Sequence, residues 1–301
     1  MERPEESLLF EEQRKRLEAA WAGLPDKPEE TPDSTLRALW SLAAGEALSA
    51  EKAMKQPLRP LDASQEEALR ALVARRLEGE PLGHITRRQA FVGLELIAGP
   101  EALIPRKETE LLARQAIALA KAALADQGSV QVLDLCTGSG NLALAVAHHV
   151  PEARVLGADL SEEAVALAKA NARFIGLEDR AHFLAGDLFE PIRRTGQGPF
   201  DLILCNPPYI SSPRVDEMAE EIRSFEPKLA FDGGRFGVGI LWKLLKEAPD
   251  FLAPGAALAF EIGLGQAKGV LGRLAKNPAY RDPKGLEDPK GEIRALVAWK
   301  A

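Results

Sequence analysis

The chain has 301 residues, 46% of them hydrophobic and 28% charged, enough for one large domain with a smaller one or an extension. It carries 38 basic and 45 acidic residues, a net charge of −7, which argues against a duplex nucleic-acid binder because such a surface must be basic to displace phosphate counterions. Cys136 and Cys205 lack zinc-type spacing, the amino-terminal MERPEESLLFEEQRKRLEAAW carries acids instead of an apolar signal core, and no window nears the roughly 20 apolar residues of a membrane span, so a soluble cytoplasmic protein is expected.

Residues 1 to about 80 read as helices only. Ser34 caps an apolar helix that Gly45 stops. Ser64-Gln65-Glu66-Glu67 reads as a capping box opening a helix to Leu77, with Leu69, Leu72, Val73 and Leu77 on one face, and Pro57 to Pro60 separates the two helices. A small bundle is the economical arrangement. From Ala90 the period changes, and Phe91–Ile97 with Ala102–Ile104 predict a short hairpin punctuated by Pro100 and Pro105.

A long Ala- and Leu-rich helix follows over Glu108–Ala125, and then the chain alternates. Strands are predicted at Val130–Asp134, Ala153–Asp159, Ala181–Leu184, Asp201–Cys205, Ala256–Ile262 and Ile293–Trp299. Helices fall at Leu142–His149, Glu162–Phe174, Val238–Lys246 and Gln266–Lys276. Such alternation means an α/β domain, a parallel sheet covered on both faces.

The first of these strands runs straight into Asp134-Leu135-Cys136-Thr137-Gly138-Ser139-Gly140 and a helix. Glycines at that turn let a ligand approach the backbone at a helix N-terminus. About 20 residues on, the second strand ends at Asp159, placed to accept from ribose hydroxyls. Gly138-x-Gly140-x-x-Ala143 also satisfies the dinucleotide fingerprint, so the loop alone leaves nicotinamide and S-adenosylmethionine enzymes open. Two acids favour the latter. Asp134, inside the strand end, is placed to orient the loop or a ligand ammonium, and Asp187 of Gly186-Asp187-Leu188-Phe189 is placed to meet an adenine amino group.

The fourth strand, Asp201-Leu-Ile-Leu-Cys205, stops at Asn206-Pro207-Pro208-Tyr209. Two consecutive prolines end a strand by deleting N–H groups. Here the arrangement resembles class I methyltransferases, in which Asn/Asp-Pro-Pro-aromatic follows the fourth strand and a conjugated, poorly nucleophilic nitrogen is methylated. The Asn206 oxygen and the Pro207 carbonyl would each accept one N–H of an NH₂ group, aiming the nitrogen's lone pair at the sulfonium methyl. The prolines fix φ, so the carbonyl is aimed at little entropic cost, and Tyr209 walls a planar amide or base.

Outside that motif the resemblance narrows. GEPLGHITRRQAFVGLELIAGPEALIPRKETE over residues 79 to 110, DLCTGSGNLALAVA, ADLSEEAVALAKANA, GDLFEP, FDLILCNPPYI and the run from Glu221 through Phe225-Glu226-Pro227 to Gly234 are similar to the HemK-type protein-(glutamine-N5) methyltransferases of peptide-chain release factors, the PrmC family. The resemblance spans most of residues 79 to 265, and the helical start fits that family's small bundle. It implies a class I Rossmann-like fold with a seven-stranded, mostly parallel sheet. Residues 1–85 would be a substrate-recognising bundle, 86–106 a hairpin linker and 107–301 the methyltransferase domain. S-adenosylmethionine would be held by Cys136, Thr137, Gly138, Ser139, Gly140, Asp159, Leu188 and Asn206, with Asp134 and Asp187 as above. Asn206, Pro207, Pro208 and Tyr209 would hold the glutamine of a Gly-Gly-Gln loop. No metal is needed, since the sulfonium is already activated, and a monomer without stable nucleic-acid or membrane contacts is expected.

The chain departs from that pattern at Cys136, where the family usually has glycine, and at Lys107, where it has proline. The DLCTGSG form is shared with enzymes that methylate a glutamine of ribosomal protein L3, which with an RNA or DNA amino group is the alternative acceptor. The two cysteines read as reduced residues lining a cofactor cleft, His148-His149 as a favourable helix end, and neither His84 nor His182 has a ligand partner at useful spacing. Arg75-Arg76 and Arg87-Arg88 read as solvated faces or a docking patch, and Gly233-Gly234 to Gly237 as a mobile loop beside the site or a plain connection.

Overall fold

The computed structural model describes residues 7–21, 23, 26–215, 217–218 and 220–301. The first six residues of the stretch read against a secretory signal lie outside the described residues. Contacts divide the chain into two units, one of Met1–Pro100, Ile104–Lys107 and Ala219–Glu226, the other of Glu101–Leu103, Glu108–Met218 and Pro227–Ala301. No helix among the described residues is long and apolar enough to cross a membrane.

The first unit is built on helices α1 (Leu8–Ala19), α2 (Pro32–Ala43) and α3 (Ala63–Leu77). Leu36, Leu39, Trp40, Leu69 and Val73 form its core, while Leu72 and Leu77 only flank it. Both helix starts lie earlier than the spacing suggests. Thr31 caps α2 and exchanges bonds with Ser34 one turn in, behind a proline at the first helical position. Asp62 caps α3 with Gln65 as its reciprocal partner, so Ser64 is already helical and the Ser64–Glu67 box does not form. Asp accepts as well as Ser at a cap, and the local signal was a tie that position decided.

Strands β1 (Gln89–Phe91) and β2 (Leu94–Leu96) form the hairpin. Val92 and Gly93 both have positive φ, 47° and 80°, the two-residue turn whose twist matches paired strands. The hairpin therefore closes within 89–96, and Ala102–Ile104 is not its second strand as expected.

This unit also buries charge. Lys27, with a fully buried side chain, pairs with Glu221 at 2.9 Å, and Arg76 meets the same carboxylate at 2.9 Å. Arg106 bonds Asp26 at 3.0 Å and Glu226, which also accepts the Ile104 N–H at 3.0 Å. Arg76 thus belongs to a largely buried network, which corrects the solvated-face reading for it, while Arg75 is exposed as that reading expects and pairs with Glu80 at 2.6 Å. Burial lifts the Glu30 carboxyl to about 7.

The second unit is a seven-stranded sheet. Its strands are β3 (Val130–Leu135), β4 (Ala153–Asp159), β5 (Ala181–Ala185), β6 (Phe200–Cys205), β7 (Leu252–Glu261), β8 (Tyr280–Glu287) and β9 (Ile293–Lys300), in the order β5-β4-β3-β6-β7-β9-β8. The pairs from β5 through β7 are parallel, and β9 runs antiparallel to β7 and β8. Helix α4 (Glu110–Gln127) precedes them, and between them run α5 (Asn141–His149), α6 (Glu162–Phe174), α7 (Gly239–Glu247) and α8 (Ala267–Leu274). Strand β8 is absent from the sequence reading. It is an edge strand, mostly exposed, carrying a proline and a register shift, so it has no apolar alternation to announce it. The chain fills one side of β3 and then returns to the other side at β6. That reversal is a topological switch point, where the carboxyl ends of neighbouring strands leave a crevice.

Candidate active site

Two chain segments leave the sheet at the switch point. Leu135 pairs with Cys205 at the last rung of β3 and β6, so Cys136 and Asn206 emerge side by side. Cys136, Gly138 and Gly140 have φ of 55°, 54° and 82°. The turn is tied down by its own N–H groups, Thr137 donating to the Ala158 carbonyl at 3.1 Å and Gly140 to the Thr137 carbonyl at 2.8 Å. A Cβ at Gly140 would sit 3.1 Å from Ala168 and Phe183, so this glycine answers to packing as well as φ. Cys136 and Cys205 are both free thiols, Cys205 buried.

Carboxylates brace the loop. Asp134 Oδ2 accepts the Thr137 hydroxyl at 2.6 Å and the Ala143 N–H at 3.2 Å. Its Oδ1 is buried without a partner, as is the Ser139 hydroxyl, and burial raises the Asp134 pKa to about 7. An orphaned buried acceptor beside an unpartnered hydroxyl is the chemistry a ligand ammonium satisfies. Asp159 accepts the Gly138 N–H at 2.8 Å through Oδ2 and the Ser161 N–H at 3.0 Å through Oδ1, leaving lone pairs on both oxygens. Burial still raises its pKa. Asn171 of α6, fully buried, donates to the Ser139 carbonyl at 3.0 Å; a lone helix Asn gave the sequence reading no signal. Leu188 is buried with φ of 47°, whereas Asp187 is exposed and pairs with Lys243 at 2.6 Å.

At the other exit, Asn206 Nδ2 donates to Thr109 Oγ1 across a long 3.4 Å. Tyr209 donates its hydroxyl toward Glu261 Oε1 at 3.0 Å, with Glu108 Oε1 at 3.3 Å. Burial first, then the nearby Glu261 and Glu108 charges, hold that phenol well above its usual pKa. Pro207 is buried and Pro208 half-buried. The segment after them is laced to residues 231–237. Ile210 N–H bonds the Phe231 carbonyl at 3.0 Å, and Gly233 N–H bonds the Ile210 carbonyl at 2.8 Å. Gly233 and Gly237 lie so close that a Cβ would fall 2.5 Å from the Pro208 oxygen and 2.3 Å from the Tyr209 oxygen. The Gln266 amide spans the Tyr209 and Gly237 carbonyls at 3.2 Å each. The glycine run thus packs as a wall against the proline exit.

Besides Asn171, four residues near the proline exit escaped the site reading of the sequence. Glu108 and Thr109 belong to the LIPRKETE stretch noted for its resemblance, Glu261 is a lone acid ending the apolar run Ala-Leu-Ala-Phe, and Arg294 opens β9. Glu261 is buried, with Oε2 unpartnered; burial lifts its pKa to about 7. Arg294 bonds Glu108 at 2.6 Å.

Residues 113–236 match the methyltransferase small domain, and residues 17–86 match the PrmC N-terminal domain. The chain is 39% identical over 238 residues to the release factor glutamine methyltransferase of Geobacter sulfurreducens, covering 79% of this chain and 80% of that one. It is 35% identical to the enzyme of that name from Bradyrhizobium diazoefficiens, covering 86% of each. Among solved structures, the hMettl16 catalytic domain in complex with a MAT2A 3'UTR hairpin superposes with a TM-score of 0.54 at 15% identity, over 76% of this chain and 81% of that one, a likeness of fold.

Proposed function

We propose an activity on one premise: the chain belongs to the release factor glutamine methyltransferase family. On this reading it transfers a methyl group from S-adenosylmethionine to the side-chain amide nitrogen of the glutamine in the Gly-Gly-Gln loop of peptide-chain release factors. The cofactor, when bound, supplies an electrophilic sulfonium methyl.

The residues of this chain account for the rest. The glycine loop Cys136–Gly140 gives the cofactor a close backbone approach, Asp134 Oδ1 an acceptor for an ammonium, and Asp159 acceptors for ribose hydroxyls. Leu188 supplies an apolar contact, and Asp187 reaches an adenine amino group if it leaves Lys243. The observation that carries the reading is the Asn206 amide, whose nitrogen is already committed to Thr109. Its oxygen is left to accept one N–H of the glutamine, and the Pro207 carbonyl accepts the other. Those two acceptors hold the nitrogen with its lone pair toward the methyl and favour loss of amide conjugation. The nitrogen gains the methyl and sheds one proton to water. Positioning of this kind removes roughly 7–11 kcal/mol of barrier without a strong base. Tyr209, stiffened by Glu261 and Gln266, walls the planar amide.

The test mixes the protein, radiolabelled S-adenosylmethionine and three acceptors: release factor, ribosomal protein L3 and ribosomal RNA. Label on release factor that vanishes when the loop glutamine is replaced is the expected result. Label on L3 alone moves the acceptor, and label on RNA alone overturns the amide chemistry.

A further inference from the structure

We propose that Arg294, on the antiparallel strand β9, is a positioning residue for methyl transfer: it ties together the two carboxylates that fix the Tyr209 hydroxyl, and through them sets the plane of the ring against which the acceptor amide lies. This role rests on the amide-clamp reading above and deepens it, giving the strand pair beyond β7 a part in the chemistry.

Tyr209 is fixed at three places. Its hydroxyl, with one proton to give, lies between Glu261 Oε1 at 3.0 Å and Glu108 Oε1 at 3.3 Å. The edge of its ring lies against Gly263, where a Cβ would fall 3.1 Å from Cδ2. Its main-chain carbonyl accepts from the Gln266 amide at 3.2 Å. The phenol proton is thus spent on carboxylates of the protein, and what Tyr209 offers an acceptor is its ring alone. A ring used as a wall has to be held still, and the hydroxyl at its far end is the handle.

Arg294 reaches both carboxylates from one strand. Its Nη2 bonds Glu108 Oε2 at 2.6 Å, a charge-assisted contact made by a side chain only 10% exposed. Its main-chain carbonyl accepts the N–H of Ile262 at 3.0 Å, and its neighbour Ala295 stands opposite Glu261 in the sheet. Glu108 comes from the segment before α4 and Glu261 from the end of β7, so the two acids meet at the phenol from different elements. Two carboxylates converging on one hydroxyl repel each other, and the guanidinium supplies the charge that lets Glu108 stay. Without it, Glu108 loses the bond that aims its other oxygen at Tyr209, while the sheet still holds Glu261. The ring is then left with one anchor for its hydroxyl instead of two. Such a loss falls on rate more than on affinity, because the amide nitrogen has to be in line with the methyl only in the transition state.

The experiment measures methyl transfer to a release factor by wild type, Arg294→Met, Arg294→Lys, Tyr209→Phe and the Arg294→Met, Tyr209→Phe double variant. Arg294→Met lowers kcat by about 10–10²-fold, while S-adenosylmethionine affinity by calorimetry stays within about threefold, and Arg294→Lys restores part of the loss. Tyr209→Phe, which lacks the tethered hydroxyl, loses a similar factor. The double variant loses no more than the worse single one, since both changes cut the same chain of contacts. NMR reads the placement directly. The chain has two tyrosines, so Cζ-labelled tyrosine gives two signals, that of Tyr209 being the one missing from Tyr209→Phe. Arg294→Met moves the Tyr209 signal and leaves that of Tyr280 in place. Full kcat in Arg294→Met, losses that multiply in the double variant, or an unmoved Tyr209 signal overturns the assignment. If Arg294→Met does not fold, Glu108→Gln takes its place in the same cycle and the same spectrum. Wild type that methylates no release factor defeats the function proposed above, while the NMR arm still judges the tie between Arg294 and Tyr209.

Discussion

Gly157 of β4 stands opposite Phe183 of β5 in the sheet, and the Phe183 ring lies where a side chain at 157 would be: a Cβ there would fall 2.4 Å from Cδ1 of the ring and 2.9 Å from the Thr137 hydroxyl. The same ring comes within 3.1 Å of the Cβ position of Gly140. Phe183 is thus a prop under the glycine loop, and two glycines make room for it. Gly157→Ala is expected to lose about 1–3 kcal/mol in urea unfolding, the range for overpacking a well-filled core. It should also weaken S-adenosylmethionine binding, because Thr137 is pushed off Asp134. An unchanged midpoint would mean that the ring has somewhere else to go.

Asn206→Ala removes the amide acceptor and leaves the glycine loop, Asp134 and Asp159 in place. Methyl transfer to the glutamine is expected to drop by about 10²–10³-fold, the range for deleting one preorganised polar contact to the reacting group. Calorimetry should still detect cofactor binding, weaker than in wild type. Turnover equal to wild type would sink the amide clamp.

Cys136 occupies a left-handed conformation, which costs a residue with a Cβ roughly 1–2 kcal/mol. Glycine avoids that cost but gives back roughly 0.5–1 kcal/mol in unfolded-state freedom. Cys136→Gly should therefore be stabilising by up to about 1 kcal/mol, and Cys136→Val, β-branched, destabilising. Thermal unfolding of the pair gives the answer in one experiment; a valine variant as stable as the glycine one would refute the strain.

Asp134 carries a pKa raised from 3.8 to about 7, with burial as the main cause and the Thr137 and Ala143 bonds opposing it. Between those values the folded chain keeps a proton that the unfolded chain has lost. The stability this brings is complete below about pH 4 and is lost as pH rises through about 7. Asp134→Asn, uncharged throughout, should close the gap progressively, gaining on wild type by on the order of a few kcal/mol between those limits. Parallel stability curves for the two proteins over pH 4–8 would rule this out.

Glu226 holds Arg106 and the Ile104 N–H in the first unit. Cutting it to Ala leaves a buried guanidinium and a buried N–H with less compensation, a change that typically costs about 3–5 kcal/mol. Differential scanning calorimetry should show the loss, and Glu226→Gln, which can still accept from the N–H, should lose less.

Much of this was written in the residues. Strands β3 to β6 and helices α5 and α6 stand where period and punctuation put them, because strands buried on both faces are continuous apolar runs and their helices are amphipathic. The glycine loop, Asp159 and the proline pair were legible because each needs an unusual residue at a fixed offset. What escaped was set by distance. Glu108 and Arg294 are 186 positions apart and meet only when the sheet is assembled. Gly157 looked like any glycine in a strand until Phe183 was laid across it. Strand β8 was hidden because an exposed edge strand has no apolar face to pattern, and the cap of α3 because Asp62 and Ser64 offer nearly equal signals.

The first unit takes its last eight residues from far down the chain. Lys27 and Arg106 are made early, while their partners Glu221 and Glu226 come more than a hundred residues later. At roughly 5–20 residues per second, a ribosome needs on the order of ten seconds to cover the stretch from Arg106 to Glu226. During that time a nascent amino-terminal unit cannot neutralise either cation as the finished one does. Its final closure must wait for translation to pass the proline motif, so the helices that leave the ribosome first stay unfinished until most of the chain has been made.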